Sequence, residues 1–219
     1  MRLFLFLRNR GFFQVNNLMR KINSKRTKKA DLWKNKFKKL IIRKIVIFKT
    51  LKIKPRIEMT NEVFKFDFKI YDSIEDLNNE DADLLKEARK VTEFAYAPYS
   101  NFRVGAFAKL VNGETVSGTN QENASYPAGI CAERTLMSTA SVLFPNVGIE
   151  TIAISYNNQN GKSDRPISPC GICRQSFVEF QQRTKNPIRL ILSGMEGKVQ
   201  VIENAANLLP LSFSGDDMK

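Results

Sequence analysis

Three cysteines stand in the 219-residue chain, at Cys131, Cys170 and Cys173, and it contains no histidine. Two of them lie in Pro169-Cys170-Gly171-Ile172-Cys173-Arg174-Gln175, and the third opens Cys131-Ala132-Glu133-Arg134. Cysteines three apart near a helix start put both sulfurs on one face of its first turn, which builds one edge of a tetrahedral metal site locally. The third ligand then falls to Cys131, and the cysteine supply is used up. Three protein ligands leave the fourth zinc position to water, the pattern of a catalytic site; a structural site takes four. Three thiolates around Zn2+ carry one net negative charge, which helix N-termini at both cysteine groups offset by about 0.3–1 kcal/mol each. Arg134 and Arg174 are candidates to donate hydrogen bonds to the sulfurs, and Gln175 is a weaker candidate for the same outer layer. Without histidine there is no Ser-His-Asp triad, Cys-His pair or H-E-x-x-H metalloprotease. Proton transfer passes to Glu133, two residues beyond Cys131, beside the water that a metal would activate. A lone C-x-x-C would read equally as a redox pair or half of a zinc ribbon; Cys131 and Glu133 favour catalysis.

The elements that must position these groups follow from periodicity. Leu84, Leu85, Ala88, Val91 and Ala95 recur at helical spacing, with a start signal at Ser73 and Asp76 and a stop before Pro98. Asn112-Gly113, between apolar stretches at 103–111 and 115–119, predicts a hairpin. Helices are expected from Cys131 to Leu143 and, after Pro169, over 170–182. Strands are expected over 151–156, 188–193 and 198–202, with a polar surface loop at 157–165. Phe64, Phe66, Phe68 and Ile70 alternate with Lys65, Asp67 and Lys69, the period of a half-buried strand. About five core strands with helices between them make an α/β layered domain.

Charge divides the chain. Residues 1–58 hold 19 Lys/Arg against Asp31 and Glu58, or +17, and residues 59–219 hold 16 against 20 acidic residues, or −4, which sum to the net +13. The first stretch reads in three ways: a basic tail for anionic surfaces, a targeting sequence, or translated sequence ahead of a start at Met59. We favour the last, and expect a basic extension at 1–58 that is disordered or foreign to the native protein, ahead of a catalytic domain at 59–219. No apolar run reaches the ~20 residues of a membrane span. An odd cysteine count points to a metal or redox site in a reducing compartment, hence the cytoplasm.

Ala97-Pro98-Tyr99-Ser100-Asn101-Phe102, Asn120-Gln121-Glu122-Asn123-Ala124-Ser125-Tyr126, C-A-E-R and P-C-G-I-C-R-Q together resemble the zinc-dependent cytidine deaminases of homotetrameric, three-cysteine type, over about residues 84–213. The resemblance implies a three-layer α/β/α sandwich with a mixed sheet and one Zn2+ per subunit. It implies hydrolytic deamination of cytidine and deoxycytidine to uridine and deoxyuridine with release of ammonia, for pyrimidine salvage, with Glu133 shuttling the proton. It further implies that Asn120 and Glu122 hold the ribose, Phe102 packs against the base, Ala132 binds substrate, and Phe213 reaches in from a neighbouring subunit. The substrate is then a small nucleoside, the chain a homo-oligomer with shared sites, and no nucleic acid is expected on the catalytic domain. Three departures stand out: the lead-in Tyr126-Pro127-Ala128-Gly129-Ile130, a longer loop at 157–165, and additional residues at 59–79. Competing readings are a blasticidin-type deaminase, a polynucleotide-editing deaminase, and a non-catalytic zinc module docked through the basic tail.

Overall fold

The computed structural model describes residues 35–41 and 60–219. Residues 35–41 are helical and belong to one compact unit, Met1–Glu62; the other unit is Val63–Lys219. Apart from that short helix, the expectations for residues 1–58 lie outside the described residues.

Hairpin chemistry starts the sheet. Strands β2 (Phe102–Leu110) and β3 (Thr115–Thr119) pair antiparallel, as expected. The N–H of Gly113 donates to Leu110 O at 2.9 Å and that of Leu110 to Glu114 O at 2.8 Å, with Gly113 at φ +87°. This is a three-residue loop with a left-handed glycine, which relieves the strain a side chain would carry there. Four further strands, β1 (Lys69–Tyr71), β4 (Ile149–Asn158), β5 (Arg189–Ser193) and β6 (Val199–Ile202), complete a sheet of order β1-β6-β5-β4-β2-β3. The β4–β5 pair is parallel and the rest antiparallel, so the sheet is mixed, with six strands rather than about five.

Alternation along the central strands assigns the two faces. Ala153 and Ile191, with Val199 and Val201, face Leu84, Leu85 and Ala88 of helix α1 (Asn79–Val91). Ile152, Ile154, Leu190 and Leu192 face Leu136 and Ala140 of α2 (Ala132–Leu143) and Phe177 and Phe180 of α3 (Gly171–Thr184). The result is the expected α/β/α sandwich. An ion pair fastens it across layers: Asp81 in α1, 5% exposed, takes both arms of Arg189 in β5 at 2.6 and 2.7 Å. Arg189 also meets Glu203 at 3.2 Å, and Glu203 holds Lys69 of β1 at 2.8 Å.

Two expectations at the start of the domain are corrected. Ser73 and Asp76 do form a capping box, yet it closes only a 3-10 turn, Ile74–Asp76. Helix α1 has its own cap, Asn78, whose side chain accepts from Asp81 N at 2.9 Å. The strand read over 64–70 is paired only from Lys69, and Phe64, Phe68 and Ile70 are about half exposed. Lys69 lies opposite Val201 and β6 ends at Ile202, so the residues before Phe68 run past the end of β6.

Candidate metal centre

The cysteines sit where two helices begin. Cys131 is the N-cap of α2 and Cys170 the N-cap of α3, with Cys173 one turn into α3. What seats α2 on the sheet is Gly118 of β3: a Cβ there would lie 2.4 Å from Leu136 N and 2.6 Å from Ala132 O. The sulfurs of Cys131 and Cys170 are 3.7 Å apart, those of Cys170 and Cys173 3.5 Å, and all three lie within 4.8 Å of one another. A tetrahedral zinc with Zn–S bonds of ~2.3 Å needs sulfurs about 3.8 Å apart, so the donor set fits that ion.

Electrostatics point the same way. The Cys131 thiol is pulled down to about 6, first by the hydrogen bond with Cys173, then by that with Cys170 and by the Arg134 charge, against the cost of burial. Cys173, fully buried, is pushed up by the same bond, by burial and by the Glu133 carboxylate. The shared bonds thus favour the anion at Cys131 and the thiol at Cys173, and a cation among the sulfurs would favour thiolates at both. Glu133, in the first turn of α2, is 5% exposed. Burial raises its pKa and the Cys131 charge adds to this, while its own backbone N–H and Cys173 pull it back.

Neighbours assigned to the sulfurs by sequence divide. Arg134 acts on Cys131 through its charge, and no hydrogen bond from it to a sulfur occurs among the described residues. Arg174 is turned elsewhere: its Nε donates to Pro169 O at 2.8 Å and its Nη1 to Leu208 O at 3.2 Å, satisfying carbonyls next to the helix start. Gln175 likewise leaves the sulfurs, and its Nε2 donates to Phe213 O at 2.8 Å, tethering the C-terminal segment to α3.

Of the residues named by resemblance, Asn120, Glu122 and Phe102 are tied together ahead of Cys131, and Phe213 is not among them. Gln121 and Ile130 exchange backbone hydrogen bonds of 2.9 and 3.0 Å, which lays the stretch holding Asn120 and Glu122 along the residue before Cys131. Asn120 Oδ1 accepts from Val104 N at 2.7 Å and its Nδ2 donates to Phe102 O at 2.9 Å, leaving one amide hydrogen. One oxygen of Glu122 accepts from Tyr99 N at 2.9 Å and Ser100 N at 3.2 Å, and the Ser100 hydroxyl, followed by these N–H groups, lowers its pKa. Its other oxygen has no partner among the described residues. Phe102 stacks on buried Tyr156 with centroids 4.8 Å apart and planes at 16°. Ala132 is fully buried at the head of α2, and Phe213 is 59% exposed.

Sequence reasoning missed Tyr156, which reads as an ordinary strand residue, and the role of the 157–165 loop. That loop folds onto the Tyr99–Asn101 turn: Gln159 N donates to Asn101 O at 3.0 Å and Asn160 Nδ2 to Ser100 O at 3.1 Å. Its extra length was the only signal.

Residues 78–186 match the family model for the zinc-binding region of cytidine and deoxycytidylate deaminases. The chain is 36% identical over 135 residues to a cytidine deaminase of Halalkalibacterium halodurans, covering 62% of this chain and 95% of that one. It is 34% identical over 135 residues to a cytidine deaminase of Sporosarcina psychrophila, covering 62% and 92%. Among solved structures, a cytidine deaminase from Burkholderia pseudomallei is similar at 37% identity and a TM-score of 0.53, covering 63% of this chain and 100% of that one.

Proposed function

The chain belongs to the cytidine deaminase family, and on that premise we propose that it hydrolyses cytidine and deoxycytidine to uridine and deoxyuridine, releasing ammonia, in pyrimidine salvage. The observation that carries this reading is a buried carboxyl group, Glu133, beside three converging sulfurs. Cys131, Cys170 and Cys173 would hold one zinc ion per subunit, and the ion would supply a water activated as a nucleophile at neutral pH. Glu133 would accept a proton from the water that attacks C4 and deliver it to N3 of the base. It then carries the second proton to the exocyclic nitrogen, and the C4–N bond breaks with departure of ammonia. A raised pKa suits both duties, since a carboxyl poised nearer neutrality gives up and regains a proton readily.

The remaining groups orient the substrate. The partnerless oxygen of Glu122 accepts from a sugar hydroxyl, and the spare amide hydrogen of Asn120 donates to one. Phe102, backed by Tyr156, gives the base a flat apolar wall, and the buried Ala132 lies behind it at the helix start. Phe213 reaches into a neighbouring subunit's site in a homotetramer, a reading supported by its exposure and its tether through Gln175. The catalytic domain, 59–219, carries −4, which disfavours a polynucleotide substrate. Three free cysteines suit the reducing cytoplasm, and no described helix is long and apolar enough to cross a membrane. The test is the ultraviolet change from cytidine to uridine, with ammonia measured in parallel, on the zinc-loaded full chain. A protein with a full complement of zinc that releases no ammonia from cytidine or deoxycytidine would overturn the assignment.

A further inference from the structure

Ahead of β1 the chain passes through Val63, Phe64, Lys65, Phe66, Asp67 and Phe68, of which residues 63–67 run past the end of β6, and all lie outside residues 78–186 of the family match. The rings of Phe64, Phe66 and Phe68 succeed one another at 6.1 Å and 6.1 Å between centroids. Alternate side chains on one side of an extended strand repeat at about 6.6–6.8 Å, so these rings line one face of an extended chain. Ile70 continues the line into β1. Phe64 is 55% exposed, Phe68 47% and Ile70 54%. Among the described residues, the backbone of 63–67 makes no backbone hydrogen bond. An extended chain with open N–H and C=O groups and one apolar face is a template for adding a strand.

The opposite face decides what is added. It presents Lys65, Asp67 and Lys69, of which Lys69 is held by Glu203 at 2.8 Å. Lys65 and Asp67 have no ion partner among the described residues.

We propose that a second copy of this chain covers the stripe, the two copies pairing antiparallel about Phe66. Phe66 then lies opposite Phe66 and Phe64 opposite Phe68, and each Lys65 lies opposite an Asp67, which matches both unpaired charges twice over. Pairing about Lys65 sets lysine against lysine. Pairing about Asp67 sets aspartate against aspartate and Lys65 against Lys69; like charges directly opposite destabilise a strand pair. Pairing about Phe68 sets Asp67 against Lys69, which Glu203 already occupies, and leaves Lys65 unmatched. A slip by one residue in one strand alone puts rings opposite charges on the wrong face. The contact is independent of the deaminase site and adds to whatever assembly the catalytic domain forms.

The test is the mass of the full chain in solution, by light scattering during size exclusion. Phe66→Lys places a charge on the two-fold axis and lowers the mass relative to the parent. Lys65→Glu and Asp67→Lys each lower it singly, and the double variant restores the parental mass. Circular dichroism confirms that each variant is folded. Equal masses for the parent and Phe66→Lys would overturn the proposal, as would a double variant that stays at the lowered mass. If Asp67→Lys lowered the mass and Lys65→Glu did not, the pairing about Phe66 would fall.

Discussion

Replacing Glu133 by glutamine keeps the size of the side chain and removes its capacity to take up and return a proton. Positioned acid–base groups contribute about 10²–10⁴ in rate. At about 1.36 kcal/mol per tenfold, that is roughly 2.7–5.4 kcal/mol of barrier. Glu133 is assigned both transfers, and with 5% of it exposed, bulk water has little access to stand in for it, so the loss belongs in the upper half of that range. Glu133→Gln should therefore lower kcat by roughly 10³–10⁴ while zinc stoichiometry stays unchanged, because the proposed ligands are the three sulfurs. Stability supplies a second readout with its own sign. Burial raises the Glu133 pKa, so its contribution to the metal-free fold is complete below the unfolded value of about 4.3 and fades as pH rises through the higher folded value. At pH 7 the metal-free variant should thus melt above the metal-free parent, with the gap closing towards pH 4. Paired ultraviolet turnover and zinc analysis decide the matter: turnover within tenfold of the parent at equal zinc content would refute the assignment of Glu133 as the proton carrier.

Cys131→Ala should abolish both turnover and zinc retention after dialysis, since two sulfurs from one helix turn cannot close the site; full zinc occupancy would show that Cys131 is not a ligand. Arg189→Ala leaves Asp81 buried without its bidentate partner and should cost about 3–5 kcal/mol in urea unfolding, against little change if the pair is dispensable. Gly118→Ala forces a methyl into the backbone of α2, so it should cost about 1–3 kcal/mol and weaken zinc retention, measured by competition with a chelator. Removing residues 1–58 should leave kcat/KM for cytidine unchanged, and loss of folding in that variant would make the extension a structural part.

The convergent trio of sulfurs was legible because the chain has so little to choose from: three cysteines and no histidine admit one candidate set. The hairpin and the two cysteine-capped helices were legible because the signals are local. Convergence of Cys131 on the other pair is not local, since it depends on Gly118 letting α2 approach β3, and a glycine in a strand announces only that something comes close. Adjacency misled for Arg174 and Gln175, whose side chains are long enough to bypass the sulfurs and end on the carbonyls of Pro169, Leu208 and Phe213. The alternation at 64–70 predicted a half-buried strand, and pairing begins only at Lys69. It could not give the length of the neighbouring strand, and β6 stops at Ile202.

Metal site and proton carrier are two parts of one electrostatic arrangement. With no cation, the trio keeps a negative charge on Cys131 and a proton on the buried Cys173, and the Cys131 charge helps to raise the pKa of Glu133. Zinc binding has to expel the Cys173 proton, so affinity must rise with pH until the thiols are deprotonated. Three thiolates with Zn2+ also carry one net negative charge, so the charge beside Glu133 is the same with and without the ion. Desolvation, the largest cause of the shift, remains. The burial of Glu133 in the first turn of α2 is thus the chief cause of its raised pKa, while the helix starts and Arg134 steady the sulfurs. It follows that a charge introduced near Cys131 should shift zinc affinity and the pH profile of turnover together, whereas a change confined to the Phe102–Tyr156 stack should alter KM and leave both in place.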